Sequence, residues 1–538
     1  MQTNTPNRYG RFARPISILA LSVTATALFA ANYEGEGKTW WSHVQFLADD
    51  SLEGRNVGSP GFEKAADYVV KQFEQIGLKP AGTNGYFQKV EFRTRKIDEA
   101  KSSLSMVVNG HAMPLKPGDD AMFSMRTEPA KNVEADIVFV GHGLRIPEMG
   151  IDDLKGLDVK GKVVMVLSGA PKNIPGALAA HYRSGGEFWK GLHEAGAIGV
   201  ISYSDPTKTD YPWERAAAAR TAEAMALQDP STWETRDQKV AILINPARVD
   251  TWLQGTGHTA QEIFDLARAE KPLPKFPLKV KVISKPEYTI GKAESKNVAG
   301  ILTGSDPKLK NEYIVMSAHL DHVGVGAPVN GDKVYNGAMD NASGIASLIE
   351  TAKALAAGPK LKRSILFVAV TGEEKGLLGS KYFAAHPTVD KKSIVANLNT
   401  DMFLPIIPLH RLTVYGLDES DLGAALKRAA GKFDVQVQPD PEPELNHFIR
   451  SDQYNFIRNG VPAVAMKFGA QPGTPEEQQL KTWSKQRYHL PSDDLKQPVD
   501  LEGAARFDRI VEAFLRDVAD ANARPRWYPN SFFKRYAN

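Results

Sequence analysis

The sequence predicts an α/β protein: a mixed, mostly parallel sheet with helices on both faces, interrupted by a mostly β insertion. Three observations carry this. Short apolar runs alternate with amphipathic stretches throughout the C-terminal half, the order expected of strands and covering helices. The middle third changes to brief apolar strands separated by long polar loops. The chain of 538 residues is too long for one ordinary core, so more than one domain is expected.

Residues 1–31 stand apart as an expected signal peptide. Arg8, Arg11 and Arg14 form a basic start without an acid. The run from Pro15 to Ala31 is apolar and small, and too short to span comfortably as a membrane helix. Ala25-Thr26-Ala27 fits the small-x-small cleavage pattern, as Ala30 or Ala31 also would. An anchor that is never cleaved is the weaker reading, so export to the periplasm or medium is expected. Removing three Arg lowers the formal charge from +3 to 0. A neutral mature chain has no electrostatic case for nucleic acid, or for stable membrane association once the signal is gone. The cysteine count of 0 excludes disulfides, thiolate ligands and a lipoprotein anchor, so any metal must be held by His and carboxylate.

Residues 32–116 form the first segment of the main domain. "WWSHVQFLADD" and "GFEKAADYVVKQFEQIGL" have helical spacing, with Gly77 as a stop. "SLEGRNVGSPG" between them reads as a polar loop, and "GYFQKVEFRTRK" as a strand. Residues 117–285 form the insertion, with strands at 136–141, 162–167, 199–203 and 239–244. It holds no paired acids, His cluster or phosphate loop, and reads as an accessory domain without chemistry. Residues 286–538 return to the main domain. Strands are expected near 297–302, 313–318, 364–370, 394–398, 412–414 and 463–467. Helices are expected near 343–357, 377–385, 421–431, 451–459 and 501–523. Ligands of such sheets bind beyond the carboxyl ends of the strands.

His, Asp and Glu residues gather at those ends, in a chain with only 12 His. His319 and Asp321 follow the strand "YIVMSA", where the Asp321 side chain is expected to accept the free ring N–H of His319. His322 lacks that arrangement and reads as structural. Asp340 precedes the helix at Ser343; alone it would be a cap, but among other acids it can bridge two metals. Glu373 and Glu374 follow "ILFVAV". Adjacent carboxylates repel unless a cation or a shared proton offsets the cost. Their side chains diverge, so one can bind metal while the other faces the metal-bound water. Asp401 ends "IVANLN", and His489 lies downstream in "YHLPSDD". Two His and three carboxylates without sulfur suit Zn2+, with Mn2+ or Co2+ as substitutes.

These stretches carry a resemblance. "NVAGILTGSDPKLKNEYIVMSAHLDHVG", "YNGAMDNASG", "VTGEEKGLLGSKYF", "NLNTDM" and "YHLPSDD" resemble the co-catalytic zinc aminopeptidase family that includes bacterial leucine aminopeptidases and glutamate carboxypeptidase relatives. "LADDSLEGRNVGSPGFEKAADYVVKQFEQIGLKP" resembles the family's opening segment, and "LKGLDVKGKVVMVL" with "LHEAGAIGVISY" its inserted protease-associated domain. The resemblance implies a zinc exopeptidase fold and two Zn2+ per chain. One would be held by His319, Asp340 and Asp401, the other by Asp340, Glu374 and His489. It implies Glu373 as general base, Tyr488 as a hydrogen-bond donor to the oxyanion, and a cis peptide at Asp340–Asn341. "FIRSDQYNF" also resembles the family; for Arg450 and Asp452 the preferred reading is surface ion pairing. The expected activity is removal of N-terminal residues from peptide substrates. A glutamate-releasing carboxypeptidase is the alternative, with Arg450 or Arg487 to hold a terminal carboxylate. A dead receptor or a one-zinc glutaminyl cyclase would lack part of this set.

Overall fold

The computed structural model describes residues 33–209, 212–445 and 447–537, so the expected signal peptide lies outside the described residues. Its first sheet is parallel at the centre, where strands Ser364–Val370, Tyr313–His319, Ile394–Asn399 and Ala463–Phe468 lie side by side. Antiparallel strands Tyr288–Leu302 and Phe87–Ile97 extend one side, and Arg411–Tyr415 the other. Alternation along the central strands builds two cores. Ile314, Met316, Ala318, Ile365 and Phe367 face one of them, which helices Pro60–Ile76, Ser343–Ala357 and Leu501–Asp520 cover. Val315, Leu366 and Val368 face the other, under Phe383 and Phe456 from helices Leu378–Ala385 and Gln453–Arg458. Covered on both faces, these strands read as near-continuous apolar runs, in which Ser317, Asn397 and Asn399 are joined by hydrogen bonds through Ser317.

Local signals explain where the elements begin and end. Helix Pro60–Ile76 opens with the Ser59 side chain accepting the Phe62 N–H at 3.1 Å and closes on Gly77 at φ +85°. That left-handed turn lets the Gly77 N–H reach the Phe73 and Glu74 carbonyls. Helix Leu501–Asp520 is capped by Asp500, which accepts the Gly503 N–H at 2.9 Å.

A second sheet of eight strands has a parallel centre of Val133–Phe139, Val163–Leu167, Gly199–Tyr203 and Val240–Ile244. Three features differ from the sequence reading. Strands Ser103–Val108 and His111–Pro114 already belong to this sheet, inside the stretch 32–116 assigned to the main domain. Ala224–Leu227, within 117–285, pairs instead with Phe87–Ile97 at the edge of the first sheet. Both depend on pairing partners distant in sequence, which composition does not register. The third concerns helices: Gly176–Arg183 and Gly185–Glu194 occupy a stretch read as loop, and Pro475–Gln486 was not placed. The last is mostly polar and buries only Trp483, so it has little apolar stripe to read.

The two sheets are tied together. Glu234 takes ion pairs from Arg458 and, at 3.2 Å, Lys381 on the helices of the first sheet. The C-terminal turn Phe532–Tyr536 packs its aromatic rings on His181. Among the described residues, no helix is long and apolar enough to cross a membrane.

Candidate metal centre

The central strands deliver their acids and histidines to one end of the first sheet. His319 is the last residue of its strand, Glu373 and Glu374 follow Ser364–Val370, and Asp401 follows Ile394–Asn399. Asp340 sits in the turn before Ser343–Ala357, where the Asp340–Asn341 peptide is cis. The Asp493 carboxylate holds this turn by accepting the N–H groups of Met339 and Asp340, each at 3.0 Å. The Asn341 side chain accepts from Gly344 and Met402 and donates to the Thr400 carbonyl at 2.9 Å, tying the turn to the Asp401 loop.

The Asp340 carboxylate faces two ways. Its Oδ1 lies 3.2 Å from His319 Nε2, which is 3.4 Å from Asp401 Oδ1. Its Oδ2 lies 3.3 Å from His489 Nε2, which is 3.0 Å from Glu374 Oε2. All five expected ligands therefore meet around the Asp340 carboxylate. Two donors each about 2.1 Å from a zinc at the tetrahedral angle stand ~3.4 Å apart, so these separations fit such an ion on either side of Asp340. The donor set contains nitrogen and oxygen without sulfur, which also fits.

His322, read from sequence as structural, is drawn into the cluster. Its Nδ1 is 2.8 Å from Glu374 Oε1 and 3.8 Å from Asp340 Oδ2, while its buried Nε2 has no hydrogen-bond partner among the described residues. His322, Asp340 and Glu374 thus form a second three-residue donor group beside His319, Asp340 and Asp401. The spacing of His319 and His322 across the strand end was the available signal.

Supporting residues depart from expectation in two places. His319 Nδ1 faces the backbone carbonyl of Asp321 at 3.0 Å, not its carboxylate. The chain leaves the strand at Leu320, so the Asp321 side chain swings away and instead accepts the N–H groups of Glu373 at 3.1 Å and Glu374 at 3.3 Å. Asp452 is fully buried rather than on the surface, and among the described residues neither carboxylate oxygen meets a hydrogen-bond partner. Its neighbour Ser451 donates to Asp401 Oδ2 at 2.6 Å. Tyr488 stacks on His489 with ring centroids 3.9 Å apart.

The charges are strongly coupled. Burial pushes the Glu373 carboxyl well above its usual range, with Glu374, Asp401 and Asp452 adding to the shift against His319. Burial also acts to raise Glu374, but His489 and His322 together pull it well below its ordinary value. Burial lifts Asp452 to about 7. So many acids share this end of the sheet that only protons or cations can offset their repulsion.

Arg55 lies beneath the cluster and is 1% exposed. Its guanidinium donates to the carbonyls of Leu320 at 2.9 Å, Asn336 at 2.7 Å, Gly337 at 3.0 Å and Leu47. It joins the His319 and Asp340 turns to the N-terminal helix over 33–47. No sequence pattern marks it beyond its place in the polar stretch "SLEGR".

A cavity of about 1210 Å³ opens over this end of the sheet. Glu373, Glu374 and His489 line one side; Arg126, Arg220 and Gln238 line the other.

The model of peptidase family M28 matches residues 297–515, the stretch that carries all five expected ligands. A protein of Mycobacterium tuberculosis named probable lipoprotein aminopeptidase LpqL is 33% identical over 451 residues, which is 81% of this chain and 74% of that one. The probable leucine aminopeptidase 2 of Aspergillus oryzae is 30% identical over 217 residues, 37% of this chain; the match spans about 40% of the fungal protein's length. Among solved structures, an aminopeptidase from Aneurinibacillus sp. strain AM-1 superposes with a TM-score of 0.54 at 20% identity, covering 89% of this chain and 93% of its own. That likeness speaks to the fold. The long mycobacterial alignment and the family match over the ligand-bearing half place the chain: it belongs to peptidase family M28.

Proposed function

We propose that the chain is an exported, zinc-dependent aminopeptidase that hydrolyses the N-terminal peptide bond of peptides. The observation that carries this is the two-sided Asp340 carboxylate, with His319 and Asp401 on one side and His489 and Glu374 on the other. The relatives in Mycobacterium tuberculosis and Aspergillus oryzae, both named as aminopeptidases, support the reaction class. His319, Asp340 and Asp401 would hold one zinc and Asp340, Glu374 and His489 the other. When bound, the pair would supply Lewis acidity to the scissile carbonyl and a water of lowered pKa.

The chain's own residues supply the rest. Glu373 precedes the ligand Glu374 and lines the cavity, with its backbone held by Asp321. From there it would take the proton of the attacking water and return it to the leaving amine. Tyr488, stacked on His489, would donate to the oxyanion. His322 supports the Glu374 carboxylate. The insertion, of protease-associated type, walls the far side of the cavity and would restrict access to short or unfolded peptides.

Purified mature protein tests this with metal analysis and one peptide in three forms: free, N-acetylated and C-amidated. The proposal expects two zinc per chain, cleavage lost on acetylation but not on amidation, and loss of turnover in Glu373→Ala. Cleavage blocked by amidation would move the assignment to a carboxypeptidase. N-terminal sequencing of the secreted form tests export, with a start between about residues 28 and 32.

A further inference from the structure

We infer that Arg215, from the insertion, is a positioning residue for the metal ligand His489. The inference rests on the two-metal reading above. It concerns a residue far from every motif that reading uses, in a domain whose sequence shows no chemistry.

Helix Trp213–Ala218 belongs to the insertion, and the Trp213 indole anchors it by donating to the Gly118 carbonyl at 2.6 Å. Arg215 points from this helix towards the first sheet and meets the end of helix Pro475–Gln486. Its guanidinium donates to the carbonyls of Ser484 at 3.4 Å, Lys485, and Tyr488 at 2.8 Å. The first two belong to the last turn of that helix, where carbonyls have no partner within the helix and a cation is favoured by the helix dipole. The third immediately precedes His489.

The next residue explains why such a pin is needed. His489 has φ +53°, a left-handed conformation that a non-glycine residue keeps only when its surroundings impose it. On its C-terminal side the turn is closed by the Leu490 N–H to Arg487 and the Asp493 N–H to Leu490, both at 3.0 Å. On its N-terminal side Arg215 reaches the Tyr488 carbonyl from outside the turn. A fork that grips both the helix end and this carbonyl fixes the direction in which the chain enters His489. It thereby fixes where Nε2 stands relative to Glu374 and Asp340. Tyr488, stacked on His489, is set by the same grip. The insertion thus completes the centre without supplying a ligand.

Zinc titration by calorimetry against a competing chelator, with steady-state peptide kinetics, tests this on the full mature protein. The wild type is expected to take two zinc ions. Arg215→Ala should weaken one of the two by about 10- to 100-fold and leave the other unchanged, the usual effect of losing a residue that orients a ligand. Its kcat should fall in parallel while KM stays within about twofold. Arg215→Lys, which keeps the charge but loses the fork, should fall between the two, and it carries the test if Arg215→Ala does not fold. Glu234→Gln is the control, since it loosens the insertion's ion pairs to Arg458 and Lys381 without touching the His489 turn. Zinc affinity in Glu234→Gln should match the wild type. An equal loss there would mean that domain docking, not Arg215, sets the site, and would overturn the inference. Unchanged zinc affinity in both Arg215 variants, with two ions bound, would overturn it while leaving the two-metal reading intact. A wild type that takes no zinc would sink both.

Discussion

Replacing Arg55 by Leu should damage stability and the metal centre together, because one buried guanidinium serves four backbone carbonyls. Leu fills part of the space but leaves three of the four acceptors unpaired, since the Gly337 carbonyl also accepts the Ala342 N–H at 3.1 Å. A buried acceptor without a partner costs ~1–3 kcal/mol. Water entering beside the shorter side chain, and the desolvated charge that no longer needs burying, favour the low end. Three acceptors at about 1 kcal/mol each give a loss of ~3 kcal/mol, a large share of the ~5–15 kcal/mol that holds a domain together. Arg55→Lys should lose roughly half as much, since an ammonium has three donors but cannot span the same carbonyls. Urea unfolding of the metal-free protein, followed through tryptophan fluorescence, reads the loss; buried Trp40 lies in the same core and reports on it. Because Leu320 and Gly337 flank the His319 and Asp340 turns, zinc affinity should also fall by about tenfold or more. A variant within 1 kcal/mol of wild type and with unchanged zinc affinity would refute the view that Arg55 ties these turns together.

Other outcomes follow from the same geometry. Ser451→Ala removes the 2.6 Å bond to Asp401, and zinc affinity should fall about tenfold with little change in melting temperature; no change would show that Asp401 orients itself. Phe403 is fully buried, stacked on Phe507 at 4.1 Å, and edge-on to Trp40, so Phe403→Ala should cost ~3–5 kcal/mol by calorimetry. His181 is 2% exposed, and burial, aided by Arg458 and Arg535, depresses it to about 4 from an ordinary 6.5. The unfolded chain therefore binds a proton that the fold refuses. Stability should fall by ~1.4 kcal/mol per pH unit as pH drops from about 6.5 towards 4, then level off. The whole effect is about 3 kcal/mol, and His181→Asn should lack it. Equal slopes in the two proteins would show that His181 already carries its proton in the fold.

What the sequence determined by itself is local. The central strands are legible because burial on both faces leaves near-continuous apolar runs such as "YIVMSA" and "ILFVAV". Gly77 is legible as a helix stop because the left-handed turn needs only its own residue. The acids and histidines at strand ends follow from the direction of a parallel sheet, which brings the ends of distant strands to one place.

Tertiary structure decided what depends on partners far along the chain. It decided that the two oxygens of Asp340 face opposite donor pairs, and that His322 joins Glu374. It turned the Asp321 carboxylate to the N–H groups of Glu373 and Glu374 rather than to His319, and it buried Asp452, which its sequence context had left on the surface. It sent Ala224–Leu227 to the first sheet and set Arg55 and Arg215 against carbonyls hundreds of residues away. The reason is physical. A strand or cap is specified by the pattern of its own side chains, whereas a backbone carbonyl gripped by a distant arginine leaves no mark in composition or periodicity on either side.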